Sequence, residues 1–209
     1  EGVVSDVEAK SKHLLMDFRT PIGRVKATIP NFEGTTPTNM IGAHIRVRGG
    51  CGAIMGWDRT KLVGVNINVP SLDDPFFKIL TPAPVNLFDA PLVDVQSLYL
   101  YHPALEINQP VKLSGHVTLV RDNASFYLQD DTGGVYIKLL RPQVVHEGDM
   151  VEVVGFPNLK GIPGIDDARG RILHSGRPIE PMLVDNMEKI LFTRGCENQL
   201  IRLKGRLLE

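Results

Sequence analysis

The sequence predicts an all-β protein made of two small barrels in tandem, with the first strand of a third repeat behind them. Three observations carry that expectation. The first is the stretch Ser125 to Leu140, SFYLQDDTGGVYIKLL, in which Phe126, Leu128, Val135, Ile137 and Leu139 recur at every second residue. Period two is the signature of strands with one buried face. The opposite parity carries Tyr127, Gln129, Tyr136 and Lys138, and an Asp-Asp-Thr-Gly-Gly turn lies between the arms. Gly133 and Gly134 are expected to supply the positive φ of a tight hairpin, and Asp130 and Asp131 to bond the turn backbone.

The second observation is internal repetition. Gly2 to Asp17 aligns without a gap on Gly115 to Asp130, Gly42 on Gly148, and KILTPAPV from Lys78 on RILHSGRP from Arg171. Ser97 to Pro103 falls opposite Lys189 to Gly195, and Leu203 to Leu207 repeats Leu113 to Val117. A period of roughly 90 to 100 residues suits an array of domains, not a short-repeat solenoid. The units expected are 1–97, 98–188 and an incomplete 189–209. By that reckoning the chain begins and stops inside repeats. The third observation is a glycine within each first strand, at Gly2, Gly115 and Gly205. Glycine there suggests a sharp coil that lets one strand serve two sheets, as closure of a small barrel requires.

Taken in order, Glu1 to Val7 reads as a shortened first strand, and His13 to Phe18 with Arg24 to Ile29 as the first hairpin. Ala43 to Arg48 is a fourth strand, AIMGW with LVGVNINV a further hairpin across Asp58 to Lys61, and Phe77 to Leu80 a short strand. Proline-punctuated connectors follow at Thr81 to Pro91 and Arg177 to Met182, with a short helix or turn near Asp94 to Tyr101 and another near MLVDNMEKI. The second unit runs Val111 to Val120, Ser125 to Gln129, Val135 to Leu140, Met150 to Val154 and Arg171 to His174. Five strands in that order, led by a coiled glycine-bearing strand, define OB-fold-like barrels. The orphan strand at 199–208 has an open edge, so docking on a neighbour or strand-mediated self-association is expected of it.

With 209 residues, 43% apolar content and a formal charge of −1, the chain has room for two small cores. No run approaches a membrane span, and no signal-peptide pattern opens the sequence; in a piece of a longer protein such segments lie elsewhere. Cys51 and Cys196 stand at non-equivalent places in their repeats and are expected to be unpaired thiols.

Binding is the expected activity, and the outer face of the second unit is the expected surface: His116, Thr118, Tyr127, Gln129, Tyr136 and Lys138. Arg24, Lys26, Arg46 and Arg48 form a candidate anion-binding stripe on the first unit, whose matching face is assigned to Val3, Ser5, Leu14, Met16, Arg24 and Lys26. Aromatic stacking makes nucleic acid the competing ligand. Balanced totals of 23 basic and 24 acidic residues disfavour a polyanion. GGCGAIMG, Gly49 to Gly56, lacks the helix a dinucleotide fingerprint needs. Asp73-Asp74, Asp130-Asp131 and Asp166-Asp167 sit at expected turns, and the six histidines show no metal spacing, so neither metal nor cofactor is expected. No nucleophile elbow and no P-loop is present, which points away from an enzyme.

At FYLQDDTGGVYIKL, GDMVEVVGF and HIRVRGGCGAI with LVGVNINVPSLDD, the sequence resembles the tandem OB-fold-like modules in the extracytoplasmic part of bacterial membrane-bound sensor proteins. The resemblance spans nearly the whole chain and rests on structural glycines, turns and core strands. In the first unit Arg19-Thr20-Pro21-Ile22-Gly23 replaces the Asp-Thr-Gly-Gly turn. The resemblance implies a periplasmic or extracellular segment of a bacterial two-component or cyclase signalling protein, itself non-catalytic, with membrane and kinase or cyclase portions outside the chain. An unidentified small ligand or protein partner would then select one relative orientation of the units. The alternatives are a stand-alone OB-fold oligonucleotide- or oligosaccharide-binding protein and a structural spacer.

Overall fold

The architecture was obtained as a computed structural model, which describes residues 1–21, 23–99, 109–158, 164–176, 179–184 and 196–205. The chain divides into two compact units, Glu1–Asp89 and Ala90–Glu209.

The second unit shows why its sequence closes. Its strands are β8 (Val111–Asp122), β9 (Ser125–Gln129), β10 (Gly134–Leu139), β11 (Met150–Asn158) and β12 (Gly164–His174). Hydrogen bonds run around a closed ring in the order β10-β12-β11-β8-β9, with β10 and β12 parallel and the other neighbours antiparallel. Between bulges alternate residues point inward, and Leu113, Val117, Phe126, Leu128, Val135, Ile137, Val153 and Ile165 make a dry core. The long strand β8 pairs with β11 through Val111–His116 and with β9 through His116–Asp122. It turns between these partners at Gly115, where a Cβ would stand 2.5 Å from the Gln129 carbonyl oxygen and 2.7 Å from Leu128 Cδ2. Only glycine fits that approach.

The first unit repeats this plan with β1 (Gly2–Lys10), β2 (His13–Thr20), β3 (Gly23–Pro30), β4 (His44–Val47), β5 (Gly50–Met55), β6 (Leu62–Asn68) and β7 (Phe77–Thr81). The sheet order is β5-β6-β3-β2-β1-β4-β7. Strand β6 pairs in parallel with β3, as β12 does with β10, and β7 pairs antiparallel with β4, as β12 does with β11. One strand of the second unit is therefore two strands here, parted by the segment 69–76, and the ring of hydrogen bonds is interrupted between them. Val4, Val7, Leu14, Met16, Phe18, Ile29, Ile45 and Val69 fill its core.

Local details match between the units. Gly2 stands as Gly115 does, its Cβ position 2.3 Å from the Arg19 carbonyl oxygen and 2.7 Å from Phe18 Cδ2. Gly42 and Gly148 lead into the fourth strand at φ +88° and +89°, a backbone region that disfavours side chains. Ser5 and Thr118 each occupy a bulge in the first strand and bond the carbonyl of the second, at Asp17 and Tyr127.

Several expectations change. The ungapped alignment slips at the first turn, because Phe18 and Arg19, not Leu15 and Met16, stand where Leu128 and Gln129 do. Strands β11 and β12 extend well beyond Val154 and start well before Arg171, so Asp166-Asp167 lies in a bulged strand instead of a turn. Gly133 and Gly134 do not adopt positive φ. Their role is close approach, since a Cβ on Gly134 would lie 2.1 Å from the Asn198 carbonyl oxygen. Helix α1 (Val95–Tyr99) belongs to the second unit, with Val95 and Leu98 in its core. Near the end, β13 (Met182–Leu183) pairs in parallel with β14 (Ile201–Arg202), so this strand docks within its own chain. Residues 203–205 carry no strand, and nothing lies within 4 Å of a Cβ on Gly205. The Ile22 turn position, the 177–178 connector, the helix expected after Asp185, the alignment of Ser97–Pro103 with Lys189–Gly195 and the Leu207 repeat fall wholly or partly outside the described residues.

Candidate functional site

On the second unit the register sets the outer face in rungs. His116 stands opposite Gln129, and Gln129 opposite Gly134. The next rung is Leu119, Tyr127, Tyr136 and Gly164, contributed by β8, β9, β10 and β12. The two tyrosine rings lie with centroids 5.3 Å apart and planes tilted by 54°. Leu119 is 50% exposed, and Gly164 raises no side chain beside the Tyr136 ring. The rung is a mostly apolar stripe, with the exposed Lys138 on the next one, opposite Ser125.

Two residues expected on this face do other work. Thr118 is 8% exposed at its bulge, and its hydroxyl donates to the Tyr127 carbonyl. Gln129 Oε1 accepts the Leu200 N–H at 2.9 Å. Leu119 was not expected here, because simple alternation from His116 places it inward. The bulge at Thr118 reverses the parity, and a threonine before four further strand residues is a weak signal of that.

The Asp-Asp-Thr-Gly-Gly turn is a clamp. Asp130 Oδ1 accepts from the Thr132 and Gly133 N–H groups and from the Thr132 hydroxyl, while Oδ2 accepts the Val95 N–H that starts α1. Thr132 Oγ1 takes the Gln96 N–H. Tyr99 closes the other end by donating its hydroxyl to the Gly134 carbonyl at 2.8 Å. Burial pushes the Tyr99 hydroxyl above its ordinary range, against the Asn198 amide that lowers it. Asp131 is exposed and outside this network of Asp130.

The corresponding rung of the first unit is Asp6, Asp17, Lys26 and Asn66, and the next is Glu8, Leu15, Thr28 and Asn68. Between them lies a groove of about 180 Å³. Arg24 donates to Asp17 at 3.0 Å, and Thr28 donates to Asn66 at 3.0 Å. Val3, Ser5, Leu14 and Met16 are buried, so the face first assigned to them is made by these polar residues instead. The basic stripe does not assemble. Arg24 and Lys26 lie on β3, Arg46 lies on β4 with Arg48 just past its end, and β2 and β1 stand between with their carboxylates. Arg46 is further engaged by Glu1, at 2.7 Å from Nε, which holds the Glu1 carboxyl below its ordinary range.

Cys51 is exposed and Cys196 half-buried, each as a thiol. Among the described residues no grouping of histidine, cysteine and carboxylate side chains has the makings of a metal site, and no helix is long and apolar enough to cross a membrane.

Strand order, bulged first strand and buried core define the class: an all-β chain with OB-fold architecture, closed in the second unit and split in the first. No family model and no curated protein matches the sequence. Among solved structures, the hypothetical protein ygiW from E. coli is similar over 41% of this chain and 92% of its own, at 18% identity and a TM-score of 0.33. The HIN2 domain of p202, solved as a tetramer, is similar over 83% of this chain and 90% of its own, at 10% identity and a TM-score of 0.29.

Proposed function

We propose that the chain is the non-catalytic binding region of a bacterial extracytoplasmic sensor, and that its ligand face is the outer sheet of the second barrel. The observation that carries the binding role is the Leu119–Tyr127–Tyr136 stripe, an apolar row held on the outside of a rigid closed barrel. Aromatic rings in such a place stack against flat ligand faces, and their polar hydroxyls stay wet. The sensory role rests on the motif resemblance in FYLQDDTGGVYIKL and GDMVEVVGF.

The first ligands to try are oligosaccharides, whose ring faces are apolar and whose edges are polar. Of the basic residues expected on this face only His116 and Lys138 flank the tyrosines, which gives a polyanion little to hold. The test is side-chain NMR of Tyr127 and Tyr136 during titration with a panel of oligosaccharides and with oligothymidylate at low salt. Shifts with a sugar, lost in Tyr127→Ala with Tyr136→Ala, are expected. No shift with any sugar removes the carbohydrate reading, and a salt-sensitive shift with oligothymidylate alone replaces it with nucleic-acid binding. For the sensory role, a chimaera carrying a histidine-kinase output should respond to the bound sugar only with both tyrosines intact.

A further inference from the structure

The β5–β6 hairpin of the first unit has an exposed apolar tip that the ligand face does not explain. Strand β6 is tied to β3 only through Asn66, Ile67 and Asn68, and β5 is tied only to β6. The far end, residues 53–63, is therefore a two-stranded ribbon. Such ribbons are marginal in water without a further contact. Its turn is ordered: the Gly56 N–H donates to the Lys61 carbonyl, the Arg59 N–H to the Gly56 carbonyl, and the Asp58 carboxylate folds back on the Thr60 N–H and hydroxyl. That turn holds Trp57 99% exposed, with Val63 at 64% and Met55 at 44% behind it. A tryptophan so fully in water is unusual, because burying one removes about 150–250 Å² of surface.

The geometry points to insertion of this tip into the headgroup region of an anionic lipid bilayer. Two arguments select that occupant. One is area: a stable protein interface needs about 800 Å² from each partner, several times what one tryptophan supplies. The other is charge: Arg59 and Lys61 are exposed beside Trp57 and unpaired among the described residues, and they outnumber the single carboxylate of the turn, Asp58, which leaves the tip net positive. Tryptophan flanked by cations suits the boundary between acyl chains and phosphates, where an indole sits at headgroup depth and each cation gains from anionic lipid.

Trp57 is the only tryptophan in the chain, so its emission reports on the tip alone. The full chain is mixed with phosphatidylcholine vesicles, with and without phosphatidylglycerol. The anionic vesicles should shift the emission to the blue and shield it from acrylamide, and added salt should reverse both effects. Co-sedimentation with them should fall roughly tenfold or more in Arg59→Glu with Lys61→Glu, and likewise in Trp57→Ala. Unchanged emission with anionic vesicles overturns the proposal. So does co-sedimentation that survives these substitutions, or a blue shift that grows with protein concentration in the absence of lipid, which would assign the tip to a second copy of the chain.

Discussion

The same rung of the same sheet reads Asp6–Asp17–Lys26–Asn66 in the first unit and Leu119–Tyr127–Tyr136–Gly164 in the second. Around it the backbone devices agree: Gly2 with Gly115, Ser5 with Thr118, Gly42 with Gly148. The difference teaches where the constraint lies. Positions that bend a strand or fill the interior accept few residues, because a Cβ or a missing hydroxyl is felt at once. Side chains on the wet side of a rung meet no such demand, and charge has taken one unit while aromatic surface has taken the other.

The largest break in that comparison should come from the paired first-strand glycines. Gly2→Val and Gly115→Val each drive a side chain into a carbonyl oxygen and should destabilise their own unit by about 3 kcal/mol or more. Urea unfolding followed by amide exchange, read unit by unit, should show equal losses; tolerance at one site would undo the equivalence.

A smaller and deliberately unequal effect belongs to the turns between the second and third strands of each unit, β2–β3 and β9–β10. Asp130→Ala removes the acceptor of four bonds, one of them starting α1, and should cost the second unit about 2 kcal/mol. In the matching turn Thr20 donates to the Gly23 carbonyl, and Thr20→Ala should cost about 1 kcal/mol or less. Equal losses in thermal unfolding would mean that α1 contributes nothing through Asp130.

The smallest effect is one of pH. The Ala124 N–H and then the Ser125 hydroxyl bond the Asp122 carboxylate and hold it below its ordinary range. A depressed carboxylate stabilises the folded state fully above its unfolded value and ceases to do so as pH falls through the folded one. Protection of the Ala124 amide, taken relative to its intrinsic exchange rate at each pH, should therefore fall on acidification through and below the ordinary carboxylate range. The corresponding turn of the first unit, residues 10–13, holds no carboxylate and should show no matching change.

Much of the frame was legible because it follows simple periods. Phe126, Leu128, Val135 and Ile137 alternate without interruption, and each is buried. Gly2 and Gly115 marked their strands because a core strand has little other use for glycine. What escaped was irregular. Thr118 and Ser5 each insert one residue into a strand, which turns Leu119 and Asp6 outward against the reading of strict alternation. Gly155, Pro157 and Asp166-Asp167 look like breaks, yet β11 and β12 run through them, because a bulge between Val154 and Phe156 absorbs the mismatch. Of the candidate face, Tyr127 and Tyr136 were found together, while Thr118 and Gln129 were spent on backbone groups that no local pattern reveals.

The division of β6 from β7 has a mechanical consequence. A hoop with no gap resists being peeled, since any strand that leaves must break ladders on two sides. The first unit already has two loose margins, the outer edges of β5 and β7, so force or denaturant should find its starting point there. Under load it should open before its neighbour does, unzipping from the split and leaving the intact hoop to give way last.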